Sequence, residues 1–348
     1  MVITKREIFN SIPPPVLSVA NLTNATGGSA RRYVYIGLVV ILLAVSAGGG
    51  YLLGSSAAVT NASAQTGTGG ATLKVLATFL PLQEWAQAVG GDKANVTLLV
   101  SPDVDVHEFE PSPASILAVA TANMLVLNGA GLEPWADKVV ASAENSKLVV
   151  VNSSDGISLI KVPPEFQSGN RTIDPHTWLD PVDAIRMVQN ILAGYVKADP
   201  SDSAYFTANA NAYIISLKLL DNEFSSLARS DLATKDFVTF HTAFGYFAKQ
   251  YNLTQIPVFG PFEEEPTAAD ITNVVNVINQ NHLCYVGYES LENPAIPNAI
   301  ATQTHATLVP MNPIEGLTPD EQTLGLTYLT LMTQTYLVLS LSLNHANC

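Results

Sequence analysis

Short runs of Val and Leu alternate with helical apolar patterns along residues 73–151. Such apolar runs are typical of strands buried on both faces, as in a parallel sheet that helices cover. Strands are predicted at 73–79, 96–100, 123–129 and 147–151, and helices at 82–89, 112–122 and 132–142. A further helix is predicted from Pro181 to about Asp199. The pattern predicts an N-terminal α/β lobe over residues 73–200.

The same alternation returns after residue 235. Strands are predicted at 236–241, 255–260, 282–289 and 306–311, and helices at 242–251, 266–280, 294–304 and 324–343. A second parallel sheet of similar design is therefore expected in a C-terminal α/β lobe over residues 231–348. The predicted fold class is α/β, with two lobes and a cleft between them.

Residues 201–230 separate the two lobes and contain neither Pro nor Gly. Apolar residues recur there at helical spacing. They are Tyr205, Ala208, Ala212, Ile215, Leu219 and Leu220. A continuous helix of this length would span about 40 Å, the size of a whole domain. We expect it to connect the lobes and to limit their closure to a modest tilt.

The N-terminal part has a different pattern. Residues 36–53 read IGLVVILLAVSAGGGYLL, a stretch close to the length that crosses a bilayer. Arg31 and Arg32 precede it and place the N-terminus in the cytoplasm. We expect a cytoplasmic segment (1–33), a single-pass transmembrane signal anchor (34–56) and a flexible tether (57–72). A signal peptide cleaved near Ala62–Ala64 stays open as an alternative, and either way the rest lies outside the cytoplasm.

The net charge of the chain excludes one class of function. The chain carries a formal net charge of −14, and residues 1–33 carry +3, so the remainder carries −17. A general nucleic-acid binder would be basic and is excluded.

Cys284 and Cys348 are the two cysteines. Outside the cytoplasm they favour a disulfide that pins the C-terminus to the second lobe, while two free thiols stay open.

Three of the six histidines stand in separate, residue-rich contexts. His107 lies in DVHEFEP, His176 in DPHTWLDP and His241 in TFHTAFGYFA. Three imidazoles are a common zinc ligand set, and their spacing excludes a local finger. His107, His241 and Asn312 follow predicted strands, where open α/β sheets bind ligands. The sequence therefore predicts a metal site built from both lobes.

These motifs resemble the metal-binding solute receptors of ABC importers, the cluster A-I zinc and manganese periplasmic binding proteins. The resemblance covers most of residues 73–348 and also includes EEEPTAADI (263–271) and CYVGYE (284–289). It implies that His107, His176 and His241 each give one ring nitrogen to the metal, and that the histidine at the third position indicates a zinc-type member. Some zinc-type members also pair cysteines at the positions of Cys284 and Cys348.

The sequence departs from the family pattern at two places. The usual fourth ligand is an aspartate after the last strand, where this chain has Asn312. Asn312 is the expected fourth ligand through its carbonyl oxygen, with Glu315 or a water as substitutes. The loop 155–173 lacks the histidine-rich insert of many zinc receptors, which removes support for a scavenging role of that loop.

The resulting prediction is a monomeric, membrane-tethered, extracytoplasmic receptor that is not an enzyme. It would capture Zn²⁺ and deliver it to a membrane permease powered by a cytoplasmic ATPase. Three alternatives remain at this point: a Mn²⁺ or Fe²⁺ receptor on the same scaffold, a zinc-dependent hydrolase, and an adhesin. The hydrolase has little support, because no H-E-x-x-H pair accompanies the histidines.

Overall fold

A computed structural model describes residues 72–167, 171–262 and 266–344. The predicted anchor, the tether from residue 57 to residue 71, and Cys348 with its expected bridge lie outside these described residues. Within the described ranges, none of the helices combines the length and the apolar character that a bilayer crossing needs.

The first half of the described chain forms a four-stranded parallel sheet in the order β2-β1-β3-β4. The strands are β1 (Leu73–Ala77), β2 (Ala94–Leu98), β3 (Met124–Leu127) and β4 (Val149–Asn152). The helices are α1 (Leu80–Gly90), α2 (Pro113–Thr121), α3 (Ala136–Ala143) and α4 (Pro181–Ala198). All four β3 residues are buried, as expected for a strand covered on both faces.

The second half repeats this design in the order β6-β5-β7-β8. Its strands are β5 (Asp236–His241), β6 (Thr254–Phe259), β7 (Tyr285–Tyr288) and β8 (Thr307–Pro310). Helix α5 (Ser203–Ala228) precedes this half, and the helices that follow it are α6 (Gly245–Tyr251), α7 (Ala268–Asn281), α8 (Ala295–Thr304), α9 (Pro319–Thr323) and α10 (Tyr328–Asn344). The prediction of two parallel-sheet α/β lobes is confirmed.

The long helix α5 (Ser203–Ala228) lies between the two halves in sequence and packs against α1, α4 and α10. Of the apolar stripe expected from the sequence, only Leu220 is fully buried, and Ile215 and Leu219 are 60% and 61% exposed. The buried row is instead Phe206, Ala210, Ile214, Leu217, Leu220, Phe224 and Leu227. Both rows have helical spacing, so periodicity alone did not identify the buried face.

One large apolar core continues through both halves. Val75 and Val126 of the first sheet, Phe224 of α5, and Phe237 and Phe247 of the second half belong to it. Each sheet also has a smaller core on its other face, under α2 and α3 in the first half and under α7 and α8 in the second. The shared core couples the two sheets through close packing.

Candidate metal centre

His107 lies in the loop between β2 and α2 and is only 4% exposed. Its backbone N–H donates to Oδ1 of Asp105 at 2.7 Å, and its carbonyl oxygen accepts from Nη2 of Arg171 at 2.9 Å. The loop backbone is therefore held on both sides of this residue.

His176 is fully buried and immediately precedes the single helical turn Thr177–Leu179 that leads into α4. Oδ1 of Asp174 lies 3.0 Å from its backbone nitrogen and 2.7 Å from its Nδ1. An ionised carboxylate only accepts hydrogen bonds, so Nδ1 carries the hydrogen. Nε2 is then the nitrogen that remains for a metal.

A buried network anchors the His176 loop to β3. The Glu133 carboxylate accepts hydrogen bonds from the Thr78 hydroxyl and from the backbone N–H groups of Asn128 and Gly129. Asn128 in turn donates through Nδ2 to the carbonyl oxygen of Pro175 at 2.9 Å. Burial raises the pKa of Glu133 to about 7, although these three hydrogen bonds oppose that rise.

His241 is the last residue of β5 and is 1% exposed. Oε1 of Glu289, the residue that follows β7, lies 2.6 Å from its Nδ1 and 3.3 Å from its backbone nitrogen. The His241 ring also stacks on Phe259, with 6.0 Å between the ring centroids. As at His176, one carboxylate oxygen bridges the backbone nitrogen and Nδ1, which leaves Nε2 for a metal.

Glu315, beyond β8, brings a carboxylate to the three imidazoles. Its Oε1 lies 2.9 Å, 3.4 Å and 3.6 Å from Nε2 of His176, His107 and His241, respectively. The four donor atoms lie within 4.8 Å of one another, and all four residues are buried. Three nitrogens and one carboxylate oxygen in this arrangement fit the usual four-coordinate zinc set.

Asn312, the expected fourth ligand, takes part in the turn that leads to Glu315. Its Oδ1 accepts a hydrogen bond from the backbone N–H of Ile314 at 2.6 Å. Ile314 is fully buried with φ of 64°, a left-handed conformation that is unusual for a β-branched residue. The Pro313 carbonyl oxygen accepts from Nε1 of Trp178 at 2.7 Å. The turn is thus fixed from several sides, and Glu315 is the acidic residue that it directs into the cluster.

The cluster is electrostatically coupled. Burial alone would lower the pKa of His176 and His241, but hydrogen bonds and charges of their carboxylate neighbours raise both, that of His241 well above 6.5. Burial would raise the pKa of Glu315, but the imidazoles of His107 and His241 hold it well below 4.5. The carboxylate and the imidazoles therefore stabilise each other's charged forms.

A cavity of about 180 Å³ adjoins the cluster. Glu289 and Glu315 line it together with Asp103, Asp105 and Glu292. Carboxylates dominate the polar lining, so the cavity favours cations.

Of the other histidines, His282 and His305 have left-handed conformations at the C-caps of α7 and α8. His345 lies beyond the part of the chain that the structure describes. The structure therefore brings together His107, His176 and His241 and adds Glu315, which the sequence suggested only as a substitute. Glu289, whose position at a strand end suggests a hydrogen-bond partner near the site rather than a ligand, pairs with His241.

Comparison with known proteins shows the family of the chain. A family model described as "Zinc-uptake complex component A periplasmic" matches residues 75–340. The chain is 33% identical over 274 residues to the high-affinity zinc uptake system protein ZnuA of Bacillus subtilis, covering 76% of this chain and 86% of that protein.

Two further similarities involve the zinc-binding lipoprotein AdcA of Streptococcus pneumoniae. The chain is 29% identical to it over 269 residues, 75% of this chain, and spans about half (54%) of its length. The crystal structure of the Zn(II)-bound ZnuA-like domain of AdcA superimposes with a TM-score of 0.69 at 29% identity, covering 79% of this chain and all of that domain.

Proposed function

The chain belongs to the zinc-uptake complex component A family, and on this basis we propose that it is a zinc receptor of an ABC import system. Proteins of this family are solute receptors, so no catalytic step is assigned to the cluster. The alternative of a zinc-dependent hydrolase is accordingly not favoured, and neither is the alternative of a manganese or iron receptor.

The observation that carries the proposal is the convergence of four buried donor atoms within 4.8 Å. We assign Nε2 of His107, His176 and His241 and one oxygen of Glu315 as the zinc ligands. Imidazole suits zinc, whereas manganese sites are richer in carboxylate and water oxygens. Glu315 replaces Asn312 as the proposed fourth ligand, because its oxygen already lies 2.9 Å from Nε2 of His176.

The carboxylates behind the ligands complete the charge balance. Asp174 and Glu289 hold the Nδ1 hydrogens of His176 and His241, which orients the rings and makes the Nε2 atoms better donors. A divalent cation bound by three neutral imidazoles and one carboxylate retains about one positive charge, and these two carboxylates lie close enough to compensate it.

The organisation around the site is proposed as follows. Residues 34–56 anchor the protein in the membrane, residues 57–72 form a tether, and the lobes 73–200 and 231–348 capture zinc outside the cytoplasm. The helix over residues 201–230 connects the lobes and, with the shared core, limits their movement. Cys284 and Cys348 form a disulfide. The partners are a membrane permease and its ATPase, and the receptor acts as a monomer.

Competitive metal titration of the chelator-stripped protein tests the proposal. We expect one Zn²⁺ per chain, bound more tightly than Mn²⁺, and a loss of affinity in His241→Ala of at least about tenfold, because a ligand is removed. The matched control is His305→Ala, which removes an imidazole outside the cluster. Equal or tighter binding of manganese, or an unchanged affinity of His241→Ala, would contradict the proposal.

A further inference from the structure

Arg171 contacts three groups around the metal centre. Its Nη2 donates to the carbonyl oxygen of His107 at 2.9 Å, and its Nη1 lies 4.0 Å from the exposed carboxylate of Glu108. Its guanidinium carbon lies 5.6 Å from the centroid of the Phe262 ring, within the range of a cation–π contact. Phe262 is buried and follows β6 of the second half. One side chain therefore joins the His107 loop to the opposite half of the molecule.

His107 depends on such support more than the other histidines do. Asp174 and Glu289 each accept from both the backbone nitrogen and Nδ1 of their histidine. Asp105 reaches only the backbone nitrogen of His107. In the described ranges, the only carboxylate within 4.0 Å of the His107 ring nitrogens is that of Glu315, on the metal side. The orientation of this imidazole therefore follows from the position of its loop backbone.

The segment that carries Arg171 already lies against the second half. The Tyr246 hydroxyl donates to the carbonyl oxygen of Asp174 at 2.6 Å and accepts from the backbone N–H of Ile160 at 3.0 Å. The Phe166 ring packs so closely on Gly260 that a Cβ there would lie 3.2 Å from it. These contacts hold the chain on both sides of Arg171 against the second half, where Phe262 lies.

We propose that Arg171 is a positioning residue that clasps the His107 loop to Phe262 and thereby slows the release of bound zinc. The inference rests on the proposed function of the site. Electrostatics alone predicts the opposite effect of this residue, because a guanidinium beside a cation site repels the cation. The planar, fork-shaped guanidinium can hold a carbonyl oxygen and lie over an aromatic ring at once, which a lysine ammonium cannot do.

The test measures the rate of zinc dissociation from the full-length chain, by stopped-flow transfer to an excess of a chromogenic chelator. Arg171→Ala is expected to release zinc about tenfold faster, the effect of losing one charge-assisted hydrogen bond, and still to bind one zinc per chain. The metal-free variant should still unfold cooperatively, with a midpoint lowered by no more than the loss of these contacts predicts. Lys161→Ala, which removes an exposed cation from the same segment, is the matched control and should release zinc like the wild type.

Two further variants separate the contacts. Arg171→Lys keeps the charge and should release zinc at an intermediate rate. Phe262→Leu keeps an apolar side chain and should also accelerate zinc release. Its effect on the release rate should be smaller when it is combined with Arg171→Ala than in the wild type. An unchanged or slower release of zinc from Arg171→Ala would overturn the proposed clasp. A slower release would indicate that Arg171 acts on zinc only through charge repulsion. Failure of the wild type to bind zinc stoichiometrically would instead overturn the proposed function.

Discussion

The two halves of the molecule have the same sheet order but hold their histidines differently. In the first half, His107 and His176 lie in loops, and the carboxylate behind His176 belongs to Asp174, two residues earlier. In the second half, His241 ends a strand, and its carboxylate partner Glu289 follows the neighbouring strand β7, 48 residues later. The same hydrogen-bonding arrangement is thus built once from local sequence and once from sheet topology.

This difference shows how each half fixes the position of its histidine side chains. A loop histidine needs a nearby partner to fix it, whereas a histidine at the end of a buried strand is already placed by the sheet and meets the residue beyond the adjacent strand. The turn 311–315 then connects the two arrangements, because Pro313 accepts from Trp178 of the first half while Glu315 reaches all three imidazoles.

The largest effect is expected from breaking the link between the halves. Trp178→Ala should lower the free energy of unfolding by about 3–5 kcal/mol. Trp178 is fully buried, packs edge-on against Phe79 at 4.7 Å and donates to Pro313. Urea denaturation measures the loss. The half-buried Trp135 is the control, and a loss in Trp135→Ala as large as in Trp178→Ala would contradict a special role of the link.

Removing the carboxylate that both halves share should have the next largest effect. Glu315→Gln should weaken zinc binding by more than about 100-fold, the upper end of what loss of an outer partner costs. Competition titration gives the affinities. The matched control is Glu292→Gln, in the same cavity, for which a change within about threefold is expected from loss of a partly exposed charge. A similar loss in both variants would show that only the total charge matters.

The comparison of the local and the distant partner can be tested directly. Asp174→Asn and Glu289→Gln should each weaken zinc binding by about 10- to 100-fold, because a neutral amide oxygen accepts the Nδ1 hydrogen more weakly than a carboxylate and adds no negative charge. Asp105→Asn should cost less, since Asp105 touches only the backbone of His107. Affinities that change in only one of the first two variants would show that the two arrangements are not equivalent.

The smallest expected effect is on pH dependence. Because the pKa values of His176 and His241 are raised in the metal-free protein, zinc must displace protons, and its affinity should fall as the pH falls through those values. Glu289→Gln should lower the pKa of His241 and reduce the number of protons released, more than Asp174→Asn does at His176. Calorimetry in two buffers of different ionisation enthalpy counts the protons. Zinc binding that releases no protons from the wild type would contradict this assignment.

Much of the architecture was predictable because its signals are local. Short apolar runs predicted all eight strands along the chain, and the three histidine motifs indicated a zinc-type receptor family, which the comparisons confirm. The buried face of α5 was not predictable, because a second apolar row with Ile215 and Leu219 has the same spacing and is exposed. The choice between the rows depends on which helices pack against α5.

The sequence by itself determined the α/β alternation, since residue type and spacing within a few turns of chain are sufficient for it. Its three histidine motifs indicated the imidazoles through their resemblance to the family. Only the tertiary structure decided that Glu315 enters the cluster while Asn312 supports the turn, that Glu289 pairs with His241, and that Arg171 reaches Phe262. These contacts join residues from separate elements, so they depend on how the two sheets and their connecting loops pack together.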